Sequence, residues 1–285
     1  MKILLTGANG LIGSAISKHL SKEGFSIFGI SKTNSTPYTS MAVDLLDSKC
    51  FEKDFPSTKW DTVVHCAAAM PTAAKQVDFF ENVVMTSNLS KLLEMNPPKQ
   101  IIFIGSIDIY DLGSGPLSEN SPVNPPTRYG LSKWLSEEWL RVWCKQNRVL
   151  FKSLRLTHIY GPNDNGRKFI ANAVRSIQTN LPIDLYGDGL DLRDFIYSED
   201  MGPILHAAIK PTTGFTINVA SGKSVTILDL IKCFKEITRG TIEVVQRERA
   251  KPKIDYQIDT TKMNNLLSLE DLTPINEGLR KIMYP

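Results

Sequence analysis

A glycine-rich loop between an apolar N-terminal segment and a helix-like segment constrains the fold of this chain more than any other feature. The apolar run at residues 2–6 is typical of a strand buried on both faces, and Gly7, Gly10 and Gly13 follow it at G-x-x-G-x-x-G spacing. Apolar residues then recur at helical spacing as far as Gly24, a typical helix stop signal. Such a loop lets the backbone approach a pyrophosphate at a helix N-terminus, so the pattern predicts dinucleotide binding. The residues predicted to contact the cofactor here are Gly7, Asn9, Gly10, Leu11, Ile12 and Gly13.

Apolar segments and helix-like segments alternate along the first half of the chain. Strand–helix alternation of this kind indicates a parallel sheet with helices on both faces. We therefore predict an α/β fold built on a Rossmann-type, doubly wound parallel sheet. The candidate strands after the first lie at residues 26–30, 41–43, 62–65, 101–104 and 149–156, and the clearest helical segments lie at residues 79–94 and 129–145.

The character of the chain changes after residue 162, where Gly and Pro become more frequent and helices shorten. We interpret residues 1–165 as a dinucleotide-binding domain and residues 166–285 as a smaller, mixed substrate lobe. A strand-like run at residues 215–219 indicates that a segment near 194–220 returns to the main sheet.

Composition disfavours several classes of function. The 285 residues carry a formal net charge of +3 that is spread along the chain, without a basic tail that would favour nucleic acid. The four Cys and four His are dispersed and no pair has metal-ligand spacing, so we expect reduced cysteines and no metal site. No apolar run approaches the length of a membrane span and no signal peptide is recognised, so we expect a cytoplasmic protein without a membrane partner.

Tyr129 and Lys133 lie four residues apart, on one face of a predicted helix. The phenol of tyrosine titrates near 10 in isolation, and a neighbouring ammonium lowers its pKa by favouring the phenolate. Bringing that pKa to about 7 takes roughly 4 kcal/mol of differential stabilisation, so a cofactor's positive charge would have to share the effect with Lys133. The spacing alone is also typical of a surface pair, and the glycine loop upstream favours a role in proton transfer.

The end of the second candidate strand bears on which dinucleotide binds. An acidic residue there accepts hydrogen bonds from the ribose of NAD, whereas a 2′-phosphate needs cations or hydroxyls. Ser31 and Lys32 occupy this position, and the next acid is Asp44. We therefore expect NADPH as the cofactor, with NAD as the alternative if Lys32 is an ordinary solvated residue.

A series of motifs follows one another along nearly the whole chain. They are the loop with Gly7, Gly10 and Gly13, then Asp44-Leu45, Val64-His-Cys-Ala-Ala68, Asn82 opening a helix, Ser106-Ile-Asp-Ile-Tyr110, Tyr129-x-x-x-Lys133, residues 155–162, and Gly187-Asp-Gly189 through Arg193-Asp194-Phe195. In this order they resemble the motifs of the extended short-chain dehydrogenase/reductase family, particularly its nucleotide-sugar epimerases, dehydratases and ketoreductases.

The resemblance implies roles for individual residues. Tyr129 looks like the family's general acid/base, Lys133 like its partner, which also bonds the nicotinamide ribose, and Ser106 like the catalytic hydroxyl. Asp44 matches an adenine-contacting acid, and Asn82 a residue near the cofactor phosphates. The nicotinamide then supplies hydride to a carbonyl carbon while Tyr129 supplies the proton to its oxygen. Beyond the glycine loop, the cofactor-binding residues expected are Ser31, Lys32, Asp44, Leu45, Ala67, Asn82, Tyr129 and Lys133.

The resemblance also implies a nucleotide-sugar substrate. Arg193 matches the family's diphosphate-contacting Arg, and Arg167 and Lys168 flank the same cleft. His158 lies where many epimerases have Asn, and some deoxysugar 4-ketoreductases look similar to this chain around it. The substrate-binding residues expected are Ser106, Asp108, His158, Lys168 and Arg193.

Ile107 and Asp108 bear on the reaction. Dehydratases similar to this chain carry an acidic residue or a Ser directly after the catalytic hydroxyl and then a Glu, and Ile107 cannot protonate a leaving hydroxyl, so dehydration is disfavoured. We expect NADPH-dependent reduction of a nucleotide-linked 4-keto-(deoxy)sugar. An NAD-dependent nucleotide-sugar 4-epimerase is the alternative, and a non-catalytic dinucleotide sensor is a hypothesis from another class that an intact Ser106 and Tyr129 disfavour.

The helices at residues 79–94 and 129–145 resemble those that form a four-helix bundle between subunits in relatives, which implies a homodimer. Apolar residues at 131, 135, 139 and 142 give the second of these helices an apolar stripe. Packing of the stripe on the sheet is the alternative.

Overall fold

The computed structural model of the protein describes residues 1–33, 37–47, 55–70, 80–111, 115–162, 164, 168–249 and 253–284. Position 79 of the first predicted helix and the candidate substrate residue Arg167 lie outside these residues.

Strands and helices alternate through the described residues. The strands are β1 (Lys2–Thr6), β2 (Ser26–Ser31), β3 (Met41–Ala42), β4 (Thr62–His65), β5 (Gln100–Ser106), β6 (Leu150–Leu156), β7 (His158–Tyr160), β8 (Ile183–Tyr186), β9 (Leu192–Arg193), β10 (Phe195–Tyr197), β11 (Phe215–Val219), β12 (Val225–Thr226) and β13 (Val244–Arg247). The α-helices are α1 (Leu11–Lys22), α2 (Phe80–Leu93), α3 (Arg128–Asn147), α4 (Phe169–Gln178), α5 (Met201–Ile209), α6 (Ile227–Thr238), α7 (Thr261–Leu267) and α8 (Ile275–Met283).

Seven strands form one parallel sheet in the order β11-β6-β5-β4-β1-β2-β3. The strand order reverses between β1 and β4, and ligands of open α/β sheets bind at the carboxyl ends of the strands beside such a reversal. The glycine loop follows β1 and residues 66–70 follow β4, so both loops border this crevice. The Rossmann-type fold predicted from the sequence is confirmed.

Alternate side chains of β1 enter two cores on opposite faces of the sheet. Ile3 and Leu5 pack with residues of α1, α5 and α7 in one core. Leu4 packs with residues of α2 and α3 in the other. All three side chains are fully buried, which is why β1 is continuously apolar rather than alternating.

A third core lies away from the sheet, where α4, α6 and α8 pack around Ile170, Phe234 and Leu279. Three two-stranded pairs, β7–β10, β8–β13 and β9–β12, accompany these helices. The chain returns to the main sheet at β11, which runs parallel to β6 with Val219 opposite Leu156. Among the described helices, none combines the length and the apolar character that a membrane span requires.

Candidate active site

A cavity of about 1020 Å³ opens at the carboxyl ends of β1, β4 and β5. Its wall is formed by the glycine loop, the segment after β4, the end of β5 and the start of α3. The residues predicted from the sequence that line it are Gly7, Asn9, Gly10, Leu11, Ile12, Ser31, Lys32, Asp44, Leu45, Ala67, Ser106, Asp108, Tyr129, Lys133, His158 and Lys168. Three predicted residues are not part of this lining, namely Gly13, Asn82 and Arg193.

The glycine loop is packed too closely for side chains at two positions. Gly7 has a φ of +71°, and a Cβ there would lie 2.8 Å from the backbone nitrogen of Ala67. A Cβ on Gly13 would lie 2.1 Å from the carbonyl oxygen of Gly7, so Gly13 serves the packing of α1 on the loop rather than the cavity wall. Gly10 is the N-cap of α1, and the N–H groups of the first helical turn are not satisfied within a helix. This cradle fits the pyrophosphate of a dinucleotide.

Lys32 does not present an unpaired cation to the cavity, because its Nζ lies 2.8 Å from Oδ2 of Asp44. The register of β2 with β3 places Ser31 opposite Ala42, which brings the residues that follow each strand together. The hydrogen bond to Asp44 raises the pKa of Lys32, and the charge of Glu81 acts in the same direction. Two carboxylates therefore offset one ammonium here, so the site supports a dinucleotide while the expectation of NADPH rather than NAD stays a prediction.

Close packing between α3 and the turn after β5 positions Tyr129. The Oγ1 of Thr127 accepts a hydrogen bond of 3.0 Å from the N–H of Gly130 and so caps α3. A Cβ on Gly130 would lie 2.1 Å from the carbonyl oxygen of Asp108. This approach brings Tyr129 within hydrogen-bonding reach of Ser106. Burial raises the pKa of the Tyr129 phenol, the charge of Asp108 raises it further, and the hydrogen bond with Ser106 opposes both.

The hydroxyl of Ser106 is oriented by the same turn. Its Oγ accepts a hydrogen bond of 3.1 Å from the N–H of Asp108. The hydroxyl proton is then left for Tyr129 or for a substrate oxygen.

Lys133 is 3% exposed and lies one helical turn beyond Tyr129. Its Nζ donates a hydrogen bond of 2.5 Å to the carbonyl oxygen of Ile104, near the end of β5. Burial lowers the pKa of Lys133 to about 8, and the nearby Cys66 and Glu137 act in the opposite direction. Lys133 therefore loses its proton, and with it the positive charge, at a lower pH than an ordinary lysine.

Asn82 lies behind the cavity wall and is 4% exposed. Its Oδ1 accepts from the N–H of Ala69 at 2.7 Å, and its Nδ2 donates to Oγ of Ser132 at 2.9 Å. Ser132 in turn donates to the carbonyl oxygen of Tyr129 at 2.8 Å. These bonds tie the segment after β4 to the first turn of α3, so Asn82 supports Tyr129 from behind.

His158 contributes a half-buried imidazole to the cavity wall. Its Nδ1 has no hydrogen-bond partner among the described residues, while a hydrogen bond joins the ring to the backbone of Asp194. This pattern assigns the proton to Nε2 and leaves Nδ1 as an acceptor. Burial lowers the pKa of His158, and the cations Lys168 and Arg193 act in the same direction, so the ring is neutral at pH 7.

Tyr256 supports Asp108 and His158 in the cavity wall and was missed by the sequence analysis. Its hydroxyl donates to Oδ1 of Asp108 at 3.1 Å, and its ring stands edge-on to His158 with 5.1 Å between the centroids. Tyr256 and Asp108 are 148 residues apart, and no motif surrounds the tyrosine, so no local signal identifies it.

The guanidinium of Arg193 is held by β9 and by the segment around Ile254. It donates to the carbonyl oxygen of Leu192 at 2.9 Å and to that of Ile254, and it lies 3.6 Å from Oδ1 of Asp191. Lys168 brings a cation to the cavity wall itself. Lining residues that the sequence analysis did not single out include Cys66, Glu81, Met85, Thr127, Thr157 and Asp164.

The fold and the cavity define an enzyme that works with a dinucleotide. A sequence profile of the NAD dependent epimerase/dehydratase family matches residues 3–220, a span that runs from β1 through β11. The chain belongs to this family and is an NAD(P)-dependent oxidoreductase of the extended short-chain dehydrogenase/reductase type.

Curated relatives cover more than one reaction. An uncharacterized UDP-glucose epimerase, YtcB, of Bacillus subtilis (strain 168) is 24% identical over 98% of this chain and 96% of that protein. A dTDP-4-dehydro-6-deoxyglucose reductase of Escherichia coli is 30% identical over 81% of this chain and 79% of that protein. The crystal structure of UDP-glucose 4-epimerase with UDP-glucose from Thermotoga maritima has a TM-score of 0.90 at 23% identity, covering 99% of this chain and 97% of that one. That last likeness shows the fold.

Proposed function

We propose that the protein is an NAD-dependent nucleotide-sugar 4-epimerase. The observation that carries the proposal is the convergence of Ser106, Tyr129 and Lys133 on one cavity beside the glycine loop. An epimerase removes hydrogen from a sugar carbon and returns it to the opposite face, so it consumes no cofactor. The relatives that are UDP-glucose epimerases support this reaction over the reductase expected from the sequence.

The cavity residues fit a bound dinucleotide. Gly7 and Gly10, with the first turn of α1, would hold the pyrophosphate, Asp44 the adenosine end, and Lys133 the nicotinamide ribose. When bound, the nicotinamide would reversibly accept the hydride that leaves the sugar carbon. The surplus of carboxylate over ammonium around Lys32 opposes the additional 2′-phosphate and supports NAD over NADP.

Tyr129 moves the proton of the sugar hydroxyl. Its phenolate accepts that proton as the C4 hydrogen leaves with its electron pair, and the phenol returns the proton when hydrogen is restored to the other face. Ser106 donates a hydrogen bond to the same sugar oxygen and stabilises its developing negative charge. The ammonium of Lys133 stabilises the phenolate, and His158 in the cavity wall lies beside the sugar.

Reduction of a nucleotide-linked 4-keto-(deoxy)sugar is the second candidate. The relative at 30% identity is a reductase of this kind. The raised pKa of Tyr129 also suits a group that donates a proton once to a carbonyl oxygen. The end of β2 also favours the reductase, because Ser31 and Lys32 lie there and no acidic residue does.

Two incubations separate these candidates. In the first, UDP-glucose and NAD are followed by NMR of the sugar and by the absorbance of reduced nicotinamide; the C4 epimer should form without net change in absorbance. In the second, dTDP-4-dehydro-6-deoxyglucose is offered with NADPH and with NADH. Stoichiometric loss of reduced cofactor there, without epimerisation in the first incubation, would overturn the epimerase in favour of the reductase.

Cofactor preference is tested by direct binding. NAD should bind more tightly than NADP. Asp44→Asn should reduce the difference between the two affinities, because it removes a carboxylate beside Lys32 that repels the 2′-phosphate of NADP. Tighter binding of NADP by the unsubstituted protein would contradict the proposal.

We also propose a homodimer through α2 and α3. Both helices pack on the same core, and Trp139 donates to Oγ of Ser90 at 3.1 Å between them. The apolar stripe of α3 faces away from the sheet, and two copies related by a two-fold axis would bury it in a four-helix arrangement. The exposed apolar residues, which we call the α2/α3 face, are Val84, Leu131, Leu135, Trp139 and Val142.

A further inference from the structure

A second group of polar side chains lies where α1 packs on α5. His19 lies in α1, Glu23 follows that helix as its C-cap, and His206 lies in α5. One potential ligand atom from each of the three side chains lies within 4.8 Å of the other two. None of the three belongs to the lining of the active-site cavity.

Gly202 allows the two helices to approach this closely. A Cβ at residue 202 would lie 2.3 Å from Cβ of His19, which no side chain tolerates. His206 follows Gly202 by one helical turn, and the two imidazole centroids are 5.8 Å apart. Phe25 stands edge-on to the His206 ring, with 5.3 Å between the ring centroids.

The polar atoms of this group are not satisfied by one another. The Nε2 of His19 is buried and has no hydrogen-bond partner among the described residues. The Nδ1 of His206 lies 3.9 Å from Oε2 of Glu23, beyond hydrogen-bond distance. Buried polar atoms in folded proteins are nearly always satisfied, so Nε2 of His19 lacks the partner expected for a buried nitrogen among the described residues.

We propose that His19, Glu23 and His206 bind a Zn²⁺ ion. Two imidazole nitrogens and one carboxylate oxygen are a donor set typical of zinc, with a water in the fourth position. Zinc–ligand distances of about 2.0–2.1 Å place tetrahedral ligand atoms about 3.4 Å apart. The side chain of Glu23 is 44% exposed and that of His206 is 24% exposed, so both can turn to close the present spacing, and the ion can enter from solvent.

The ion would join the C-terminal end of α1 to α5 on the face of the sheet that carries the first core.

Zinc titration of the full chain after chelator treatment tests the proposal. Calorimetry should show one ion per chain, and Co²⁺ in place of Zn²⁺ should give the visible absorption of a tetrahedral site. His19→Gln and His206→Gln should each weaken zinc binding by at least tenfold. Glu199→Gln is the matched control, because Glu199 is a nearby carboxylate paired with Lys18 and is not a ligand.

Thermal unfolding keeps the test informative if one variant folds poorly. Zinc should raise the Tm of the unsubstituted protein and of Glu199→Gln, and should leave the Tm of His206→Gln unchanged. Absence of stoichiometric zinc binding, or zinc affinity that survives both histidine substitutions, would overturn the proposal.

Discussion

At the scale of single residues, burial shifts the acid–base groups of the cavity in opposite senses. The phenol of Tyr129 holds its proton more strongly than a free tyrosine, whereas Lys133 holds its proton more weakly and titrates at about 8. Burial is the largest cause of both shifts, because it disfavours the phenolate and the ammonium alike. Proton exchange by Tyr129 therefore depends on the charge of Lys133 and on the groups that enter the cavity.

Tyr129→Phe should lower turnover by about 10²-fold or more, because the phenol is the group that exchanges the proton. Cofactor affinity, measured by fluorescence titration, should stay nearly unchanged. Tyr256→Phe is the matched control, since it removes a hydroxyl that contacts Asp108 and should act mainly on KM. Near-normal turnover of Tyr129→Phe would refute its assigned role.

We expect activity to fall as pH rises through about 8, because Lys133 loses its positive charge in this range. Its cation is present below the folded-state pKa of about 8 and is lost above it, so phenolate stabilisation disappears in that range. A pH profile of kcat/KM checks the expectation. Arginine keeps its charge to higher pH, so the Lys133→Arg variant should lose activity at a higher pH than the unsubstituted protein, even if its maximal rate is lower. A profile that stays flat through this range in the unsubstituted protein would be inconsistent with the account.

The sequence predicts the residues of this site unevenly. Ser106, Tyr129 and Lys133 belong to short motifs on single elements, so their placement in one cavity could be expected. The ion pair of Lys32 with Asp44 could not, because it depends on the register of two strands joined by an intervening segment. Tyr256 could not be predicted either, because its hydrogen-bond partner Asp108 lies 148 residues away along the chain.

At the scale of elements, the start of α3 is fixed by a glycine contact rather than by helix propensity. Gly130 follows Tyr129 directly and packs against the carbonyl oxygen of Asp108. Apolar periodicity predicts that a helix covers this segment, but it does not indicate how closely the helix approaches β5. That distance determines whether Tyr129 and Ser106 meet.

Gly130→Ala should destabilise the protein by about 1–3 kcal/mol through overpacking and should also lower kcat. Gly240→Ala is the matched control, since a Cβ there would lie 3.8 Å from its nearest neighbour, the carbonyl oxygen of Thr238. Urea unfolding with parallel activity assays measures both effects. Equal stability of the two variants would argue against the close packing.

At the scale of the whole molecule, the sheet separates two cores and places the cavity at the reversal of strand order. The apolar stripe of α3 lies on the outer side of this arrangement. The sequence identifies the stripe but not its direction, because a buried and an exposed stripe have the same spacing. In the structure the stripe faces outward, so packing on the sheet does not account for it.

Trp139→Glu should weaken self-association by at least about tenfold, because it places a charge at the centre of the α2/α3 face. Sedimentation velocity over a range of concentrations measures the change. Met95→Glu is the matched control, since Met95 is 87% exposed and lies outside that face. A monomeric unsubstituted protein, or a dimer indifferent to Trp139→Glu, would contradict the proposed dimer.

The fate of the hydrogen at C4 of the sugar tests the central claim most directly. UDP-glucose carrying deuterium at C4 is incubated with the protein and NAD in ordinary water, and the product is examined by NMR and mass spectrometry. The account predicts the C4 epimer with deuterium retained at that carbon, since the same hydrogen leaves and returns within one cavity. Epimerisation with loss of deuterium to solvent, or no epimerisation while a 4-keto sugar is reduced at the expense of added cofactor, would contradict it.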